Sequence, residues 1–168
     1  MKRILTICLA VVAATTMFAK DYQNSIGVVA GSGLGVQFKD MVTDHFTIIE
    51  EFGYLGSFAA AGDGFAFPTL GAIDNLVLAY QAQCAEGQGI RLDYYAGGQI
   101  KGGYMGGGAG MVGFGAAAGI EANMKNAPIA FSFDFRPGYG CLLMGGGAGV
   151  GVGHAFDWTL NLGVRYTF

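Results

Sequence analysis

Apolar and polar residues alternate with a period of two along most of this chain, and the alternation is sharpest at its end. Every second residue from Trp158 is apolar or aromatic: Trp158, Leu160, Leu162, Val164, Tyr166 and Phe168. Between them lie Thr159, Asn161, Gly163, Arg165 and Thr167, all polar or small. Successive side chains of a strand point to opposite faces, so the segment predicts a strand with one apolar and one wet face. A helix would gather its apolar residues at three- and four-residue spacing, which this segment does not do.

The stretch from Pro128 repeats the pattern, with Ile129, Phe131, Phe133 and Phe135 set against Ala130, Ser132, Asp134 and Arg136. Asp134 and Arg136 then share the polar face, where a wet interior tolerates them and lipid would not. Pro137 lacks a backbone N–H and is expected to end regular pairing or to mark a rim. Weaker alternation predicts five further strands, around Ile26–Val28, Leu34–Lys39, Leu76–Gln83, Leu92–Lys101 and Val112–Asn123. A last one, Phe46 to Leu55, breaks the rule, because adjacent Glu50 and Glu51 send one carboxylate outward in any regular strand. A bulge, or a place near an aqueous edge, would relieve that conflict.

These segments make eight strands, and the connections between them sort into two kinds. Those around Asp40–Asp44, Glu86–Gly89 and Lys125–Asn126 are compact and polar, whereas Ser57–Asp74, Gly102–Gly110 and Gly140–His154 are longer and glycine-rich. A fourth on the longer side, around Gly31–Gly33, is short. With that exception short and long connections alternate, as periplasmic turns and external loops do in an up-and-down transmembrane barrel. The expected fold is therefore all-β, an eight-stranded antiparallel up-and-down transmembrane β-barrel.

Composition supports a barrel in a membrane. The chain is 52% hydrophobic and 12% charged, with 31 glycines; the charged share is about half that of a soluble domain. After the first nineteen residues no apolar run approaches the roughly twenty residues of a spanning helix. Those first residues read as a secretory signal, with Lys2 and Arg3 before the apolar Ile4–Ala14 and Met17-Phe18-Ala19 as cleavage site. Residues 1–19 are thus expected to be a signal peptide and 20–168 the barrel domain. Cys8 lies inside the apolar run instead of following it, which argues against a lipoprotein. The mature chain keeps 7 Lys+Arg against 12 Asp+Glu, net −5, with no basic cluster, which argues against nucleic acid.

The ending Leu160-Asn161-Leu162-Gly163-Val164-Arg165-Tyr166-Thr167-Phe168 resembles the C-terminal assembly signal of outer-membrane barrels. The mature chain resembles small eight-stranded outer-membrane barrels of the OmpX-like type, and Pro128–Pro137 is similar to the penultimate strand of such proteins from Bacteroidetes-like bacteria. The resemblance implies an integral protein of a Gram-negative outer membrane, with outer-membrane lipid and the barrel assembly machinery as partners. In it Tyr166 and Phe168 form the assembly signal. The outer loops lack the charged and aromatic tips of an adhesin, and the surface ligand stays open.

Within such a barrel Lys101, Glu121, Asp134, Arg136, Arg165, Asp93 and one of Glu50/Glu51 would face the lumen. Paired, they make a plug that rigidifies a narrow barrel; unpaired, they line a charged constriction. The plug is the preferred reading, because the interior of eight strands is just wide enough to be filled by side chains. Gly31-Ser32-Gly33-Leu34-Gly35 and Gly106–Gly119 lack the strand–turn–helix setting of a phosphate loop. Small luminal residues and flexible outer loops account better for the glycines. His45 and His154 are expected at opposite ends, which argues against a shared metal or acid–base site. His154 with Asp157 or Asp74 is the raw material for a lipid-acting enzyme at the rim. Cys84 and Cys141 are likewise expected at opposite ends, as free thiols. Tyr54, Tyr80, Tyr94, Tyr95, Tyr104, Tyr139, Trp158, Tyr166 and Phe168 cluster toward strand ends, the outward ones as interfacial girdles. The preferred function is a non-enzymatic barrel with a structural or surface-interaction role and no cofactor. A small passive channel and the rim enzyme are the alternatives.

Overall fold

Where the period-two pattern runs, the chain is extended and paired on both sides. The computed structural model describes residues 24–31, 33–55, 59–61, 64–66, 71–105, 109–146 and 149–168. The expected signal peptide, 1–19, lies outside them. The strands are β1 (Asn24–Ala30), β2 (Gly33–Met41), β3 (Phe46–Leu55), β4 (Ala59–Ala61), β5 (Gly64–Ala66), β6 (Gly71–Glu86), β7 (Ile90–Met105), β8 (Ala109–Met124), β9 (Ile129–Gly146) and β10 (Gly149–Thr167). Eight of them close in the order β1-β10-β9-β8-β7-β6-β3-β2, each antiparallel to its neighbours. β4 and β5 form a separate small hairpin between β3 and β6. Closure joins the first strand to the last, from Ser25 opposite Thr167 to Ala30 opposite Leu162. Beyond that ladder the N–H of Asn24 donates to the Phe168 carbonyl at 3.1 Å and that of Phe168 to the Asn24 carbonyl at 2.8 Å.

The alternation decides what each face meets. Leu162 is 63% exposed, whereas Asn161 beside it is 4% exposed. Outward faces carry Ile26 and Val28 on β1, Leu76 and Leu78 on β6, Ile120 on β8 and Phe131, Phe133 and Phe135 on β9. Aromatic side chains gather at both ends of this apolar wall. Phe46 meets Tyr80 edge-on at 5.9 Å, and Tyr166 stacks with Phe168 at 6.3 Å, at the end with the short turns. At the other end stand Tyr104, Phe114, Tyr139, Phe156 and Trp158. Phe156 precedes Phe168 by twelve residues. At about 3.3 Å per residue along a strand tilted about 40°, that is roughly 30 Å of height.

Several expectations from the sequence are corrected. Two of the glycine-rich segments read as long connections, Gly102–Gly110 and Gly140–His154, are paired strand at their described residues. β9 and β10 remain in register from Tyr166 opposite Ile129 up to Gly149 opposite Gly146, and β7 and β8 up to Met105 opposite Ala109. Glycine has weak strand preference, but these glycines extend strands whose register is already set below them. Pro137 does not end its strand, but it stands at the rim marked by the upper aromatic row. It pairs with Trp158 on β10, while the β8 ladder lapses between Gly115–Gly138 and Ala118–Phe135 and resumes in the same register. No bulge relieves Glu50: β3 is regular against both neighbours, with Glu50 between Phe38 and Leu76. Glu50 therefore points outward and Glu51 inward. A register shift occurs instead at Cys84 on β6, between Gln83 and Ala85.

The short turns sit together at one end. Lys125 donates its backbone N–H to Gly89 at 2.9 Å and its ammonium to Glu86, tying the β8–β9 turn to the β6–β7 turn. The hydrogen bond from Lys125, helped by one from Gln83, holds the Glu86 carboxyl below the usual carboxylate range. A carboxyl with a depressed pKa contributes stability that is present above its unfolded value and is lost as pH falls through the folded one. The tie should thus persist at pH 5 and open only below the ordinary glutamate pKa of about 4.3. Carbon-13 NMR titration of Glu86 should give a midpoint below that value, and Lys125→Ala should raise it. An unchanged midpoint would show that the bond does not form.

Candidate functional site

Strands of a small barrel turn half their side chains toward one axis, so ionisable residues far apart in sequence must meet. Lys101, Glu121, Asp134, Arg136 and Arg165 all lie inside the barrel and are buried. Lys39, Glu51, Asp93 and Tyr95 lie there with them. Tyr95 thus faces inward and belongs to no girdle.

One connected network crosses the interior. The Lys39 ammonium lies 2.6 Å from Glu121 Oε2, and that carboxylate also accepts from Arg165 Nη2. Arg165 Nη1 donates to Gln37 Oε1 and, at 3.1 Å, to Ser132 Oγ. Gln37 Nε2 donates to Glu51 Oε2 at 3.3 Å, and Arg136 Nη1 donates to the same oxygen at 2.8 Å. Arg136 also grips Asp134, with Nη2 3.0 Å from Oδ2 and Nε 2.8 Å from Oδ1. Asp134 further accepts from Tyr95 Oη at 2.7 Å and Asn161 Nδ2 at 2.9 Å. Lys39 stands 5.6 Å over the Tyr95 ring, which closes the path into a loop.

The network balances its charge: Lys39, Arg136 and Arg165 face Glu51, Glu121 and Asp134. Its members come from β2, β3, β7, β8, β9 and β10, so it braces the wall from within. Two smaller groups flank it. Toward the turns Asp93 Oδ2 accepts from Arg91 Nη2 at 2.7 Å, Asn123 Nδ2 at 2.8 Å and Gln81 Nε2 at 3.2 Å. Toward the other end Lys101 pairs with Asp157.

Glycines make room for these long side chains. A Cβ on Gly27 would stand 2.8 Å from Arg165 Cγ and 1.9 Å from a backbone oxygen. On Gly119 it would stand 2.6 Å from the Tyr95 ring and 2.7 Å from Asp134 Cβ. At the turn end a cavity lined by Ser25, Lys39, Gln81, Arg91 and Glu121 has a volume of about 10 Å³, which is space for one water.

Other expected chemistry falls elsewhere. His154 lies in no loop: it stands on β10 opposite Cys141, pointing outward, whereas Asp157 points inward to Lys101. Asp74 is on β6, across the barrel from β10. The raw material for a rim enzyme is therefore not assembled. His45 lies in the turn after β2, stacked on Tyr80 at 5.4 Å, far from His154. Cys84 and Cys141 are free thiols near opposite ends. Among the described residues no group of three or more His, Cys, Asp or Glu is placed to hold a metal ion. Tyr166 and Phe168 point outward.

The class these features define is a closed eight-stranded antiparallel barrel with an apolar outer wall and an interior of paired charges. No family model and no curated protein sequence matches the chain. Among solved structures, a major outer membrane protein from Thermus thermophilus is similar at 12% identity and a TM-score of 0.48. The match covers 89% of this chain and 100% of that one.

The network predicts which carboxylates and cations matter. Arg136→Met strands Glu51 and Asp134 without their shared cation, and breaking a buried pair in this way costs about 3–5 kcal/mol. Asp44→Asn, in the exposed turn between β2 and β3, should stay within about 0.5 kcal/mol. Urea unfolding followed by tryptophan fluorescence separates the two. Equal effects would mean that the interior is wet enough to leave Arg136 indifferent to its partners.

Proposed function

We propose that this protein is a non-enzymatic integral barrel of a bacterial outer membrane, with a plugged lumen and a structural or surface-interaction role. The observation that carries the reading is the charge-balanced network across the interior. Each of its six ionic side chains is held by an opposite charge, and such an interior fixes the wall without offering ions a continuous wet path. The outer wall supports the membrane part of the reading. Apart from the outward carboxylate of Glu50 it is apolar between two rows of aromatic residues, and bilayers select a band of about 25 Å flanked by such girdles. Its contact partner is then outer-membrane lipid.

In this reading residues 1–19 direct export, and outward-facing Tyr166 and Phe168 serve as the signal read by the barrel assembly machinery. The resemblance to OmpX-like barrels agrees with both assignments. The β9–β10 hairpin rises past the upper aromatic row and forms the part available to a surface partner. A lipid-acting enzyme built on His154 with Asp157 or Asp74 has no support in the placement of those residues.

Two measurements test the proposal. Protein extracted from outer membranes in detergent should run at different mobilities before and after boiling. The folded form, added to a planar bilayer, should give no discrete conductance steps. Steps from the unaltered protein would replace the plugged barrel with a channel. No mobility shift, with the protein absent from the membrane fraction, would overturn the membrane reading itself.

A further inference from the structure

Beyond the upper aromatic row, the β9–β10 ribbon brings together a nucleophile and a base that are thirteen residues apart in sequence. Cys141 and His154 are directly opposed across the two strands, and Cys141 Sγ lies 3.2 Å from His154 Nδ1. Both lie on the outward face, close above the register pair of Tyr139 and Phe156. The imidazole is oriented by Tyr139, whose ring it stacks on with centroids 5.9 Å apart and planes inclined by 16°. His154 is exposed and Cys141 is half-buried, so the sulfur can be reached from outside while its base stays within hydrogen-bond range. The chain also holds a comparison thiol. Cys84 is exposed near the opposite end, and its Sγ lies 3.4 Å from the Leu92 carbonyl oxygen, which cannot accept and return a proton as an imidazole does.

We infer that Cys141 and His154 form a reactive thiol–imidazole pair on the outer ribbon, a modification site that exchanges with small disulfides. Nucleophile and base within hydrogen-bond reach, with the base oriented by a third group, is the arrangement that activates a thiol. In the exchange the Cys141 proton passes to His154 Nδ1 as Sγ attacks one sulfur of the small disulfide. A new S–S bond forms to Cys141, the original S–S bond breaks, and the departing sulfur takes up the proton from the imidazolium. The products are a mixed disulfide on Cys141 and one small thiol, and the small disulfide is the only oxidant consumed. Such disulfides persist outside the cell and in the periplasm, where thiols are not kept reduced.

The test uses folded protein in detergent and a chromogenic aryl disulfide whose released thiolate is read by absorbance. Cys84→Ser isolates Cys141, Cys141→Ser isolates Cys84, and Cys84→Ser with His154→Gln removes the base. Gel mobility before boiling confirms that each variant is folded. At pH 7 Cys141 should react at least about tenfold faster than Cys84, as a modest share of what a placed base contributes. His154→Gln should abolish that advantage, and free imidazole in the buffer should restore part of it. Cys141 reacting no faster than Cys84, or keeping its rate in His154→Gln, would overturn the inference.

Discussion

The pairing of β1 with β10 is the constraint on which the rest of the molecule depends. A sheet of these strands left open would expose two rows of unpaired N–H and C=O groups, the usual template for aggregation. With Ser25–Ala30 laid against Leu162–Thr167, every wall strand has two neighbours. Closure also fixes the bore, since eight strands enclose only enough space for side chains. Residues turned inward are then withdrawn from bulk water whatever their polarity. A charged residue at such a position must find an opposite charge or become a large penalty. The network from Lys39 to Asp134 follows from closure in this way.

The interior resolves a problem of volume as well as of charge. Arg136, Arg165 and Tyr95 are among the largest fully buried side chains in the molecule. Arg165 and Tyr95 fit because their register partners on the adjacent strands, Gly27 and Gly119, carry no side chain at all. The glycine excess that looks like loop composition in the sequence is in part the negative image of these long residues. Others lie in the upper hairpins, where Gly138, Gly140, Gly145 and Gly146 are paired within strands.

Much of the architecture is legible because strand geometry allows only two faces. Once Trp158–Phe168 and Ile129–Arg136 set the phase, the inward placement of Asp134, Arg136 and Arg165 follows from counting by twos. Counting cannot say which inward residues touch, because that depends on register between strands distant in sequence. Glu51 reaching Arg136, and Asp157 pairing with Lys101 and not with His154, are such contacts. Lys39 shows the limit well. Its phase opposite Phe38 is readable, yet its place over Tyr95 and against Glu121 needs the curvature of the closed wall. Cys141 and His154 are hidden for another reason: the glycines between them resemble a loop, and only the shared register with the strands below reveals a paired ribbon.

The outward position of Leu162 and the inward position of Arg165 also place very different demands on substitution. The outer wall asks little of each residue except that it be apolar, so Leu, Val, Ile and Phe can replace one another there one at a time. Inside, a change at Gly119 is felt at once by Tyr95 and Asp134, and a change at Arg136 by Glu51. The two faces of a single strand should therefore drift at different tempos, the outer one freely and the inner one only through coordinated exchanges. Descendants of such a barrel would keep the rhythm of the sequence, and the partnerships within it, long after most of its letters had changed.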